Sequence, residues 1–244
     1  MLPRIAIVGY GQMGKQIESL AKDKGFEVAE IFDTNKPLKD GYFDFDVAID
    51  FTYPDTVFEN VKILASKGKN IVLGTTGWYN KKSELENIVN ESNIGLVWGS
   101  NFSVGVQTFF RIVQQAARLI DKLDDFDVMV HEMHHKRKKD SPSGTAVSIS
   151  QFLLNEIRRK NKIETARIDD EIGDDVIHVS STRGGEVFGR HTVYLDSISD
   201  SIELSHRAKS RAGFALGSLE AAKWIHEKKG FWEFTQVMED IFND

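Results

Sequence analysis

The segment that most narrows the possible folds is Gly9-Tyr10-Gly11-Gln12-Met13-Gly14. It follows the apolar run Ile5-Ala6-Ile7-Val8 and opens an amphipathic pattern carried by Met13, Ile17, Leu20 and Ala21. In that strand–turn–helix setting a G-x-G-x-x-G run has a mechanism. The first glycine permits a tight turn, the second lets backbone approach a pyrophosphate, and the third lets helix and strand pack closely. Free N–H groups and the positive end of the helix dipole then face the phosphates. Asp33 ends the next apolar run, 19 residues past Gly14, near the spacing at which an acid meets an adenosine ribose. The competing reading is a tight βα turn and nothing more. An acid at Asp33 repels a 2′-phosphate and favours NADH, whereas Lys36 offsets that repulsion, so NADH and NADPH both stay open.

The rest of the first half keeps the same rhythm. Strands are expected at 4–8, 26–32, 47–51, 70–73 and 94–98, and a second helix starts with Pro54 in its first turn and carries Val57, Val61 and Leu64. Such alternation is how a parallel α/β sheet reads. Past Asn101 the pattern changes. A helix is expected at 106–120, alternation begins at Phe126, Val128 and Val130, and strands follow at 176–182, 191–196 and 201–206. Helices at 214–226 and 231–242 close the chain. The clustering of strands predicts a second, α+β unit on a more open sheet.

Composition excludes several classes. With 41% hydrophobic and 28% charged residues in 244, the chain has enough apolar surface for a core, and it has no run of about 18 apolar residues. The absence of cysteine rules out disulfides, thiolate metal sites and a cysteine nucleophile. A net charge of -6 argues against nucleic acid as a partner. Met1-Leu2-Pro3-Arg4 does not read as a signal peptide, and a cytoplasmic location is expected.

The most chemical stretch runs from His131 to Ala146 and admits three readings. His131, Glu132 and His135 satisfy H-E-x-x-H, a zinc pattern when it lies on a helix. The period-two alternation before it favours a strand end, and the four cations Lys136 to Lys139 oppose a divalent metal, so no metal is expected. A second reading is a solvated basic loop. The third is an acid–base and anion-binding site, in which imidazole titrates near neutrality and a lysine donates a proton or holds a carboxylate. Ser143 precedes an apolar helical pattern (Ile149, Phe152, Leu153, Ile157) and reads as its N-cap. Beside cations, that helix start is also a carboxylate site.

The run Glu132-Met133-His134-His135-Lys136-Arg137-Lys138-Lys139-Asp140-Ser141-Pro142-Ser143-Gly144-Thr145-Ala146 resembles the signature of the dihydrodipicolinate reductases, E-x-H-H-x-x-K-x-D-A-P-S-G-T-A. Further matches follow in family order: Asp50-Phe51-Thr52 with Pro54, Gly74 to Gly77, Asn101 to Val106, and His206 to Arg211 before Phe214-Ala215. The resemblance implies a Rossmann-like dinucleotide-binding domain, 1–104 plus 211–244, and a substrate-binding and oligomerisation domain, 105–210, on an open mixed sheet. It implies NADH or NADPH as cofactor and reduction of a cyclic dicarboxylate on the route to diaminopimelate and lysine.

By position, His134 and Lys138 are the proton-transfer residues, and His135, Ser143, Gly144, Thr145 and Arg211 contact substrate. Gly9, Tyr10, Gly11, Gln12, Met13 and Asp33 hold the cofactor, with Gly74, Thr75, Thr76, Gly99, Ser100, Asn101 and Phe102 at its nicotinamide end. A homotetramer built by pairing sheets is implied as well. The chain departs from the family in a glycine loop one residue shorter than G-A-x-G-R-M-G, in a short 34–46 segment, and in Ser141 for alanine. Two rivals remain at this point: another two-domain reductase of a small anion, and a nonenzymatic NAD-binding regulator whose basic run contacts a partner.

Overall fold

The computed structural model describes residues 1–243, in two compact units. One comprises Met1–Val104 and the chain from Arg211 onward; the other is Gly105–Ser210. In chain order the first unit contains β1 (Ile5–Val8), α1 (Gln12–Asp23), β2 (Val28–Phe32), β3 (Val47–Asp50), α2 (Pro54–Ser66), β4 (Asn70–Leu73), α3 (Lys82–Glu91) and β5 (Gly95–Trp98). Helix α4 (Val104–Ile120) starts at the boundary. The second unit continues with β6 (Asp127–His134), α5 (Gly144–Glu156), β7 (Lys162–Glu164), β8 (Val176–Arg183), β9 (Arg190–Asp196) and β10 (Ser201–Arg207). The chain then adds α6 (Ala212–Ile225), β11 (Gly230–Glu233) and α7 (Phe234–Asn243) to the first unit.

The first unit is a parallel sheet in the order β11-β5-β4-β3-β1-β2. The four inner strands β5, β4, β3 and β1 are buried at every position and so on both faces, which is why these segments read as mostly apolar runs. Ala6, Val8, Ala48 and Leu73 meet α2 and α3 on one face, while Ile5, Ile7, Ile49 and Val97 meet α1 and α6 on the other. After β2 the chain returns past β1 to form β3. The loops following β1 and β3 therefore diverge at the carboxyl edge of the sheet, where doubly wound folds bind ligands.

The second unit is a mixed sheet, β10-β9-β6-β8-β7, antiparallel across β10, β9 and β6 and parallel across β6, β8 and β7. Both its helices lie on one face. Val128, Val130, Ile177, Val179, Val193 and Leu195 pack there against Phe109, Phe110 and Val113 of α4 and Ile149 and Leu153 of α5. The alternate residues of β6, including Met129 and His131, point to the opposite face, where they are exposed or half-buried while their neighbours are buried.

The observed fold class is the one expected, an α/β unit with a second unit on a mixed sheet. The expected closing helix at 231–242 needs correction: residues 230–233 form β11 instead, pairing with the edge of β5 from Gly230↔Gly95 to Glu233↔Trp98. The reason is a period of two hidden among aromatics. Phe231 stacks on Trp98 at 6.1 Å on one face, and Trp232 meets Trp224 at 5.5 Å on the other. Helix α3 and strand β7 were not anticipated.

Helix α6 crosses the sheet where a methyl at Gly217 would stand 1.6 Å from the Phe102 carbonyl oxygen. Gly217→Ala is therefore expected to lower the urea midpoint at unchanged slope. Overpacking of this kind costs about 1–3 kcal/mol, and the roughly 1 kcal/mol that alanine gains in helix propensity does not offset it. An unchanged midpoint would show that the contact relaxes freely.

Candidate active site

The carboxyl edge of the first sheet opens into a cleft of about 860 Å³. Its wall is built from the loop after β1 (Gly9 to Met13), Asp33 at the end of β2, and Gly74 to Thr76 after β4. Gly9 has φ +92°, and a side chain there would collide with the Phe51 carbonyl oxygen at 2.5 Å. The backbone must be bare at this point. At Gly11 an added methyl would meet nothing within 4 Å, so that face of the loop is open. Gly11 is also the N-cap of α1 and offers no side-chain acceptor to the first turn, which leaves those N–H groups for an anion. A bare glycine loop, an uncapped helix start and an acid at the far strand end fit a dinucleotide.

Asp33 is partly committed already. Its Oδ1 accepts N–H bonds from Asn35 at 2.8 Å and Lys36 at 3.0 Å. The Lys36 ammonium is held by Glu30. Beneath the cleft lies Asp50, 1% exposed, whose Oδ1 accepts from Thr52 N–H, Thr52 Oγ1 and Thr75 Oγ1 and whose Oδ2 accepts from Asn60 Nδ2 at 2.9 Å. Burial pushes the Asp50 carboxyl up, and the bonds from Thr52, Asn60 and Thr75 oppose that. One buried acid thus ties the loop after β3 to the loop after β4.

Gly99, Ser100, Asn101 and Phe102 follow β5, the sheet neighbour of β4, one loop beyond the part of the wall made by Gly74 to Thr76. Phe102 is a core residue, 4.6 Å from Phe234 and 6.2 Å from Phe51 between ring centres. Arg211, expected to contact substrate, lines the cleft of the first unit. His135 and Ser143 to Thr145 belong to the second.

In the second unit the chemistry gathers at the end of β6. Strand geometry sends Glu132 and His134 to the helix-covered face, both buried, and His131 to the other, where its Nε2 meets Thr182 Oγ1 at 2.9 Å. The H-E-x-x-H residues are consequently not assembled. Glu132 and His134 are hydrogen-bonded through His134 Nδ1. The other Glu132 oxygen accepts from Arg183 Nη2 at 2.6 Å and from the Ser143 N–H at 3.2 Å. Burial alone would raise the Glu132 carboxyl, but the bonds from His134 and Arg183 outweigh it and hold it down to about 2.

His191 sits edge-on to His134, 5.2 Å between ring centres, with Nε2 3.0 Å from Ser143 Oγ. Burial, reinforced by the charge of His134, pushes His191 down to about 3, so it stays neutral. Glu132, His134 and His191 each bring a ligand atom within 4.8 Å of the others, but Arg183 on the same carboxylate opposes a cation there.

Past His134 a turn closed by Lys138 N–H onto His135 O brings Lys138 back, its Nζ 2.8 and 3.0 Å from the Asp140 carboxylate. Among the four consecutive cations Lys138 alone is partly covered, its side chain 24% exposed. Lys136, Arg137 and Lys139 are exposed, and Arg137 pairs with Glu186. Ser143 caps α5, its Oγ accepting from Ala146 N–H at 3.2 Å, and a methyl at Gly144 would meet nothing within 4 Å. Sequence reasoning passed over Arg183, His191 and Asp50. The only trace of Asp50 was its place in the Asp50-Phe51-Thr52 match, and Glu132 figured only in the zinc pattern and the signature.

A doubly wound sheet with an anion-receptive glycine loop, in one chain with a mixed-sheet unit bearing a buried carboxylate–histidine pair and a tethered lysine, defines a two-domain nicotinamide-dependent oxidoreductase. Models of the N-terminal and C-terminal regions of dihydrodipicolinate reductase match residues 3–102 and 105–238. The chain belongs to the dihydrodipicolinate reductase family. It is 37% identical over 243 residues to the 4-hydroxy-tetrahydrodipicolinate reductase of Christiangramia forsetii, covering 98% of this chain and 99% of that one. To the Archaeoglobus fulgidus enzyme of the same name it is 34% identical over 262 residues, covering 97% and 100%. A solved structure of dipicolinate-bound dihydrodipicolinate reductase from Paenisporosarcina sp. TG-14 shares the fold, with a TM-score of 0.76 at 20% identity over 97% of this chain and 100% of that one.

The Glu132 environment sets a pH dependence. Its folded value, about 2, lies below the ordinary 4.5, so its contribution to stability is complete above pH 4.5 and is lost as pH falls toward 2. The gap in urea midpoint between the natural chain and Glu132→Gln is expected to close across that window. A gap independent of pH would mean the carboxylate is not held by its partners.

Proposed function

We propose that this chain reduces 4-hydroxy-tetrahydrodipicolinate to tetrahydrodipicolinate with NADH or NADPH, taking up one hydride and one proton and releasing one water, in lysine and diaminopimelate biosynthesis. The observation that carries the reading is the end of β6. There a buried carboxylate–histidine pair and a tethered lysine stand beside the Ser143-capped start of α5, within a chain of this family. The nicotinamide supplies the hydride; the protein must orient the ring and manage the proton.

His134 Nε2 and Lys138 Nζ are the proton-transfer atoms. Lys138 is the donor, held ready by Asp140, and His134 exchanges a proton through the nitrogen that Glu132 does not occupy. The substrate carboxylates are fixed by the α5 start at Ser143, Gly144 and Thr145, by His135, and by Arg211, since helix N–H groups and cations complement carboxylates. In the first unit Gly9 to Met13 take the pyrophosphate, Asp33 the adenosine ribose, and Gly74 to Thr76 with Gly99 to Phe102 the nicotinamide end. We further propose a cytoplasmic homotetramer formed through the helix-free face of the mixed sheet. Met129, 38% exposed, and its cross-strand neighbour Tyr194 support that surface.

Loss of nicotinamide absorbance with enzymatically generated substrate tests the assignment. Lys138→Ala and His134→Ala are expected to lower kcat by about 10²- to 10⁴-fold, the usual worth of a general acid or base, with NADH binding unchanged. Turnover near the natural rate in both would remove them from the chemistry. In the same assay Asp33→Ser is expected to raise kcat/KM for NADPH relative to NADH, because it removes a charge facing the 2′-phosphate. An unchanged ratio would mean Asp33 does not meet the ribose.

A further inference from the structure

We propose that Glu132 is the positioning residue of the site: it fixes His134 with a proton on Nδ1, which leaves Nε2 as the atom that exchanges a proton with substrate. The inference rests on the reading of His134 as a proton-transfer residue and adds what sets its tautomer. Glu132 has no solvent contact, and an ionised carboxylate in that position must be met by donors. It is met by His134 Nδ1 on one oxygen and by Arg183 Nη2 and the Ser143 N–H on the other, and the Ser181 hydroxyl, which can turn to donate or accept, adds to them.

A carboxylate accepts and does not donate. His134 Nδ1 therefore carries hydrogen whether the ring is neutral or charged, and in the neutral ring Nε2 is the free lone pair. Glycine at the facing position keeps side-chain atoms off that nitrogen. A methyl at Gly189 would stand 2.8 Å from His134 Nε2, so any side chain there would cover it. His191 does not take over the role, because its Nε2 is engaged by Ser143 Oγ and burial keeps the ring neutral.

The arrangement makes Gln an informative substitution. In Glu132→Gln one carboxylate oxygen becomes an NH₂ group, which must face donors wherever it points. Two donors, Arg183 and Ser143, converge on one side and one on the other, so the amide oxygen stays with the pair and NH₂ turns to His134 Nδ1. Nδ1 must then accept, and the ring proton moves to Nε2. The tautomer inverts without loss of the imidazole.

Two-bond proton–nitrogen spectra of the full chain with isotope-labelled histidine report the tautomer directly, the His134 signals being those missing from His134→Asn. The natural chain is expected to show the Nδ1–H form and Glu132→Gln the Nε2–H form. In parallel kcat should fall by about 10²- to 10⁴-fold, as when a catalytic histidine is held in the wrong tautomer, with KM for NADH unchanged. Glu132→Asp keeps a carboxylate and should retain the Nδ1–H form and much of the rate. An Nε2–H form in the natural chain, or a Gln variant that keeps Nδ1–H or turns over at the natural rate, overturns the proposal, and the first of these needs no variant to fold. Inversion in a chain that does not consume NADH with substrate would uphold the positioning role and defeat the reductase reading instead.

Discussion

A carboxylate without water must be surrounded by donors, and in the second unit that carboxylate is Glu132. Meeting its demand joins three elements: β6, which supplies His134; β8, which ends in Arg183; and α5, whose first turn begins at Ser143. The geometry of the site follows from it. The first unit repeats the device under its cleft, where Asp50 gathers Thr52, Thr75 and Asn60. The two acids differ in one respect. Glu132 is answered by a guanidinium and is held to about 2, whereas Asp50 has only neutral donors and burial carries it upward. Stripping one charged donor from Glu132 thus leaves a worse deficit than stripping one hydroxyl from Asp50.

Much of this was legible in the chain itself. Apolar runs alternating with helical periods announced the parallel sheet, and Gly9 to Gly14 between Val8 and Ile17 located its ligand edge. The strand at 230–233 was missed because Phe231 and Trp232 are both apolar, so a period of two could not be seen against the helical pattern that follows. Helix α3 did carry its signal, with Leu85, Ile88 and Val89 on one side, but ten residues of mixed polarity were not read as an element. Strand β7 is three residues long and has no periodicity to find.

The site divided the same way. His134 and Lys138 stood in one run with Glu132, and their types alone suggested acid–base work. What holds them could not be read locally: Arg183 lies 51 residues from Glu132, and His191 lies 48 from Ser143. Such partners are chosen by strand register, β6 pairing with β8 and β9, and register is a property of the whole sheet. The H-E-x-x-H pattern misled for a related reason. Its spacing assumes a helix, and in a strand adjacent residues face opposite ways.

In the reductase reaction hydride from a nicotinamide enters a hydroxylated cyclic dicarboxylate as its hydroxyl leaves as water. The most direct test is mass spectrometry of the product formed with NADH deuterated at the transferring position and enzymatically generated 4-hydroxy-tetrahydrodipicolinate. The expected product is tetrahydrodipicolinate carrying a single deuterium and lacking the hydroxyl. Product without label, or labelled product that keeps the hydroxyl, would contradict it.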